Sequence, residues 1–146
     1  MQTDVLVVGA GPTGLMLATE LGLAGVTPVV IDALLAPSGQ AKGAAVQPRT
    51  AEVFELRGMI DQLLEMALPG EPTSGHFGGL PVELDCRPWR TRHPYPVPTP
   101  RGAVEQILTQ RLADYDIPVC RGYQLNALQP DDDGGHCHGS RPRHWH

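Results

Sequence analysis

Gly9-Ala10-Gly11-Pro12-Thr13-Gly14 is the stretch on which the reading of the chain turns. Immediately before it stands Asp4-Val5-Leu6-Val7-Val8, whose apolar, β-branched run is typical of a strand buried in a parallel sheet. Immediately after it, Leu15 to Ala24 is rich in Leu and Ala and predicts a helix, with Gly25 closing it at the C′ position. Pro28-Val29-Val30-Ile31 predicts a second buried strand that ends at Asp32. The order is β-α-β with G-x-G-x-x-G at its first turn, the arrangement that receives a dinucleotide.

The residue types have separate physical reasons. Gly9 permits a tight turn out of the strand, Gly11 lets a pyrophosphate approach the backbone, and Gly14 lets the helix lie against the strand. Free N–H groups at the helix start face the phosphates, and the helix dipole adds roughly half a positive charge there. Pro12 costs little in the first turn, where its missing N–H has no intrahelical partner anyway. Gly9, Gly11, Pro12, Thr13 and Gly14 are therefore the candidate phosphate-side residues. Asp32 lies where a carboxylate can accept hydrogen bonds from an adenosine ribose. Its charge opposes a 2′-phosphate, so the site is expected to reject NADP. The spacing Gly9-x-Gly11-x-x-Gly14-x-x-x-Ala18, with Gly25 beyond, resembles the fingerprint of FAD-binding enzymes more than that of NAD dehydrogenases. Ala18 serves equally well as a packing residue and does not separate the two cofactors alone.

Length and composition narrow the alternatives. A chain of 146 residues suits one domain, and 41% hydrophobic with 18% charged residues fits a soluble globular protein. The net charge of -5 argues against nucleic acid as a partner, and 5% aromatic residues leave few platforms for stacking bases. Cys86, Cys120 and Cys137 form no C-x-x-C pair and are expected as free thiols in a reducing cytosol. Asp4 and Glu20 break any signal-peptide pattern, and no run reaches the ~18 apolar residues of a membrane span. The expectation is a cytoplasmic protein without a membrane partner.

Further along, residues 33–47 lose periodicity and form a loop that leaves the ligand-binding edge of the sheet. Lys42 is its only cation, as well placed to meet a cofactor phosphate as to be solvated. Pro48-Arg49-Thr50 begins a helix with Thr50 as N-cap, and Gly58 stops it. A short helix is expected from about Met59 to Met66, and a hairpin around His76 to Leu84. Arg87 to Pro100 is rich in proline. After Thr99-Pro100 a helix runs to about Asp114, and Pro118-Val119-Cys120 and Tyr123-Gln124-Leu125 read as strands.

The glycine fingerprint, the loop and Gln47-Pro48-Arg49-Thr50-Ala51-Glu52-Val53-Phe54-Glu55-Leu56-Arg57-Gly58 together resemble the FAD-dependent aromatic hydroxylases. Within the para-hydroxybenzoate hydroxylase group, the resemblance is closest to the type that hydroxylates aromatic polyketides. His76-Phe77-Gly78-Gly79-Leu80-Pro81 and Pro100-x-x-x-x-Glu105-x-x-Leu108 also fit, and the resemblance covers residues 3 to about 130. It implies an α/β fold: a Rossmann-like FAD-binding domain with a parallel sheet and β-α-β start, here incomplete. It also implies a monooxygenase that draws electrons from NAD(P)H, uses O2 and hydroxylates a small aromatic substrate. The protein holds and orients the cofactor that carries the hard chemistry. By position, Gly9, Gly11 and Gly14 face the pyrophosphate, Asp32 faces the ribose, and Lys42 stands where the family usually has an arginine. Arg101 replaces a flavin-contacting glutamine, and since arginine donates but cannot accept, that contact changes character. Ala33 replaces a common arginine beside Asp32. Later Asp-Gly and Gly-Asp motifs of the family touch the flavin half. This chain has no Gly-Asp, and its one Asp-Gly is Asp133-Gly134.

Asp131-Asp132-Asp133-Gly134 reads as a hairpin turn, but the residues after Gly135 lack strand-forming types. The expected organisation is therefore the amino-terminal part of an FAD-binding domain over 1–135 and a disordered tail over 136–146. A shifted or shortened reading frame would produce such a tail. His136, Cys137 and His138 are adjacent on an extended chain and point to alternate faces, so no metal site is expected. The sequence singles out no catalytic side chain. The expected function is FAD binding within an aromatic-ring monooxygenase, inactive alone. A non-catalytic dinucleotide-binding fragment is the alternative. A small NAD-dependent dehydrogenase is a third reading, disfavoured because no Tyr-x-x-x-Lys is present.

Overall fold

A computed structural model describes residues 3–40, 43, 45–69, 75–76, 81–132 and 134–141. Its elements are β1 (Leu6–Val8), α1 (Pro12–Leu23), β2 (Val29–Asp32), α2 (Pro48–Leu56), α3 (Ile60–Glu65), β3 (Gly75–His76), β4 (Glu83–Leu84), α4 (Arg101–Ala113), β5 (Val119–Arg121), β6 (Gln124–Asp131) and β7 (Gly134–Ser140). The chain forms two compact units, 1–39 with 108–146 and 40–107. Helix α4 begins in the second and ends in the first.

In the first unit β1, β2 and β5 form a parallel sheet in the order β1-β2-β5. Leu6 pairs with Val29, Val30 with Val119, and Asp32 with Arg121. The central strand carries the buried run Val29, Val30 and Ile31, as a strand covered on both faces requires. Leu15 and Ala18 of α1 are fully buried, as is Thr19, whose hydroxyl donates to the Leu15 carbonyl at 2.9 Å. The helix ends in a Schellman turn: Val26 N–H reaches the Leu21 carbonyl and Gly25 N–H the Gly22 carbonyl, with Gly25 at φ +79°. The expected C′ role of Gly25 holds.

The stretch expected to be a tail is different. Gly134–Ser140 is β7, paired antiparallel with β6 through Leu128↔Cys137, Gln129↔His136 and Asp131↔Gly134. The tail expectation is corrected as far as Ser140; residues 142–146 lie outside the described residues. Ladder bonds use backbone groups that every non-proline residue carries, so a poor side-chain composition does not forbid them. Every residue of β7 is exposed, and with no face to bury there is no demand for alternating apolar residues.

In the second unit α2 starts one turn earlier than its expected cap. Gln47 is the N-cap and Pro48 is the first helical residue, so Thr50 lies inside the helix. Proline at the first helical position is preset for helical φ and pushes the residue before it into extended backbone, here ψ 157°. Ala51 and Phe54 of α2, Leu63 of α3 and Met59, the N-cap of α3, are buried. Gly58 stops α2 as expected, its N–H bonded to the Glu55 carbonyl. Val46 and Val97 exchange backbone bonds at 2.8 Å, and β3 pairs with β4 as the expected hairpin. No helix among the described residues is long and apolar enough to cross a membrane.

Candidate functional site

The site is built where β1 runs into α1. Gly9 sits at φ +106°, a conformation that side chains rarely adopt, and its N–H donates to the Ile31 carbonyl at 2.8 Å. A Cβ on Gly14 would stand 2.0 Å from the Gly9 carbonyl oxygen. That distance explains the third glycine: the first turn of α1 lies directly against the strand-to-helix turn. Gly11 is the N-cap at φ -83° and ψ 176°, with no side-chain cap, and Pro12 is the first helical residue. The backbone at Gly11 is one that any residue can adopt, so the conformation alone does not demand glycine there. Pro12 and Thr13 open the helix, where the first N–H groups lack intrahelical partners.

Asp32 ends β2 on the same edge. Its Oδ2 accepts from the Ala10 N–H at 2.7 Å and its Oδ1 from the Leu34 N–H at 2.8 Å. The acid is thus tied to the glycine turn itself, across 22 residues of sequence. A carboxylate has about four acceptor positions, so two backbone donors leave capacity for hydroxyl groups. Arg121, its register partner on β5, holds a guanidinium nitrogen 3.9 Å from Oδ2. Arg121 was not singled out from sequence. The available clue was a cation closing a short apolar strand on the same edge as Asp32.

Two expected residues remain. Lys42 lies outside the described residues. Arg101 begins α4 in the unit 40–107, where its Nε donates to the buried Glu105 carboxylate at 2.6 Å. The structure therefore brings together Gly9, Gly11, Pro12, Thr13, Gly14 and Asp32, and gives Arg101 a partner of its own. His136, Cys137 and His138 sit on β7, and among the described residues no three His, Cys, Asp or Glu side chains are grouped to hold a metal ion.

Residues 2–141 match the family described as FAD binding domain. The chain belongs to this family. This FAD-binding domain is 39% identical over 134 residues to the 12-dehydrotetracycline 5-monooxygenase/anhydrotetracycline 6-monooxygenase of Streptomyces rimosus, covering 92% of this chain and 26% of the relative. It is 35% identical to the rifampicin monooxygenase of Rhodococcus hoagii, over 90% of this chain and 27% of that protein. The solved structure of OxyS anhydrotetracycline hydroxylase from Streptomyces rimosus superposes with a TM-score of 0.89 at 37% identity, over 97% of this chain and 29% of that one. The chain spans about a quarter of the length of the curated relatives it matches. The expected family, the α/β fold with its β-α-β start and FAD as the family's cofactor all hold, and the reading as a small NAD-dependent dehydrogenase is set aside.

Proposed function

We propose that this chain binds the adenosine–pyrophosphate half of FAD, as the amino-terminal part of a monooxygenase acting on aromatic rings. The observation that carries the reading is the 2.7 Å bond from the Ala10 N–H to the Asp32 carboxylate, which joins the phosphate turn and the ribose acid into one site. Gly9 and Gly14 shape the turn, and the amides at the start of α1 meet the pyrophosphate. Gly11, Pro12 and Thr13 line that approach, and Asp32 accepts from the ribose. The bound flavin supplies the redox chemistry; these residues bind it, orient it and fix its adenosine end. Lys42 and Arg101 belong to the proposal as cations for the phosphate and flavin portions, on the family resemblance. The names of the relatives support a multi-ring aromatic substrate, and NAD(P)H serves as the electron donor.

The test is to purify the chain, add FAD and follow its absorption and fluorescence, then repeat with Gly11→Val. The Gly11 dihedral angles are ones that valine also adopts, so the variant is expected to keep its helix content and lose FAD. Equal FAD binding by both proteins would overturn the phosphate assignment.

A further inference from the structure

Asp32 does not present a bare negative charge. Asp32 and Arg121 are register partners at the ends of the parallel strands β2 and β5. Their side chains are 15% and 19% exposed, so solvent screens the pair less than it screens a surface ion pair. Arginine stays protonated at any working pH, which makes its charge a fixed feature of the edge. The backbone holds the two residues in place: Tyr123 N–H donates to the Asp32 carbonyl at 2.9 Å and Gly122 N–H to the Leu34 carbonyl at 3.1 Å. At 3.9 Å the guanidinium is close enough to offset the carboxylate charge yet beyond a good hydrogen bond, leaving the carboxylate oxygens to accept from elsewhere.

We propose that Arg121 is a positioning residue for the nucleotide site: it sets the charge that Asp32 presents, and with it how strongly the site discriminates a plain adenosine ribose from one carrying a 2′-phosphate. This rests on the reading that Asp32 meets the ribose. Asp32 alone would reject a 2′-phosphate by repulsion. Paired with Arg121, the edge is close to neutral and recognises the ribose mainly by hydrogen bonding. The consequence is a site less exclusive toward 2′-phosphorylated nucleotides than its acid suggests.

The experiment compares the affinity of the full chain for ADP-ribose and for 2′-phospho-ADP-ribose, two ligands that differ only in that phosphate. Removing one unit charge from this edge is expected to change the affinity ratio by about tenfold or more in a partly shielded site. Arg121→Gln is expected to raise the preference for ADP-ribose by that factor, and Arg121→Lys to keep it near the parent value. Asp32→Asn is expected to shift the ratio in the opposite direction. The double variant, neutral like the parent pair, is expected to return to within about threefold of the parent, because the two charges act as a coupled pair. If Arg121→Gln weakens both ligands equally, Arg121 is only a structural brace and the proposal fails. If Arg121→Gln does not fold, the double variant is compared with Asp32→Asn, and an equal ratio in the two overturns the proposal. If the parent binds neither ligand, the nucleotide reading falls and the proposal with it.

Discussion

Single atoms decide the site. Gly14 shows this most directly, because its missing Cβ would overlap the Gly9 carbonyl oxygen at 2.0 Å. Backbone meets backbone at that point, so no flexible side chain can yield. Gly14→Ala is expected to cost on the order of 1–3 kcal/mol, the range of overpacked cores, and to lower the thermal unfolding midpoint along with FAD affinity. An unchanged midpoint would mean that α1 can slide away from the turn. Asp32 works through hydrogen bonding instead. Its carboxylate gives partners to two backbone N–H groups, at 2.7 and 2.8 Å, and in the proposed role to a ribose as well. Hydrogen bonds to a charged group are each worth roughly 1.5–3 kcal/mol, so Asp32→Ala should weaken FAD by about tenfold to a hundredfold. Riboflavin lacks the adenosine and should not respond. A titration of both ligands by flavin fluorescence checks this, and equal losses would take Asp32 away from the ribose.

At the scale of elements, what was legible in the sequence follows from how local each cause is. β1, α1 and β2 were readable because strand composition, helix composition and the glycines agree within 30 residues. Gly25 and Gly58 mark helix ends through the same turn, set by residues adjacent in sequence. The start of α2 was misplaced by one turn because two signals compete there, and Pro48 prevails over Thr50. β7 was missed because strand reading relies on apolar alternation, which only a strand with a face to bury must show. Arg121 was missed because its meaning comes from Asp32, 89 positions earlier in the chain, through strand pairing that no local pattern reports. The difference between the two sheets has a measurable outcome. Gly9 and Val30 N–H groups are bonded in or beside the parallel sheet of the first unit, with Val30 fully buried. The β6–β7 amides are bonded too, but in a ribbon exposed along nearly its whole length. Exposed ladders open locally at low cost, so Gln129 and His136 amides, a register pair of that ribbon, should exchange with deuterium well before Val30. Matching protection would show that the hairpin opens only with the core.

At the scale of the whole molecule, gripping a cofactor and using it are separable. The described residues assemble a turn, a helix start and an acid, and their proposed ligand is the adenosine–pyrophosphate half of FAD. The reactive ring is at the opposite end of that dinucleotide. The family's flavin-side Asp-Gly and Gly-Asp motifs have no counterpart here: Gly-Asp does not occur, and the one Asp-Gly leads into β7, with Gly134 as its first residue. The matched relatives are about three and a half times as long as this chain. Hydroxylation also needs a closed site, because a reactive cofactor that meets bulk water loses its oxidising equivalent to side reactions. The 146 residues alone are therefore expected to bind FAD without hydroxylating a ring. The measurement supplies FAD, NADH or NADPH, O2 and a panel of phenolic polyketides, and follows cofactor oxidation by absorbance and product by mass spectrometry. The expected result is no hydroxylated product, with any NAD(P)H oxidation uncoupled from substrate. Product formed in proportion to NAD(P)H consumed would show that these residues complete a catalytic site, and that the grip and the chemistry are not divided as argued.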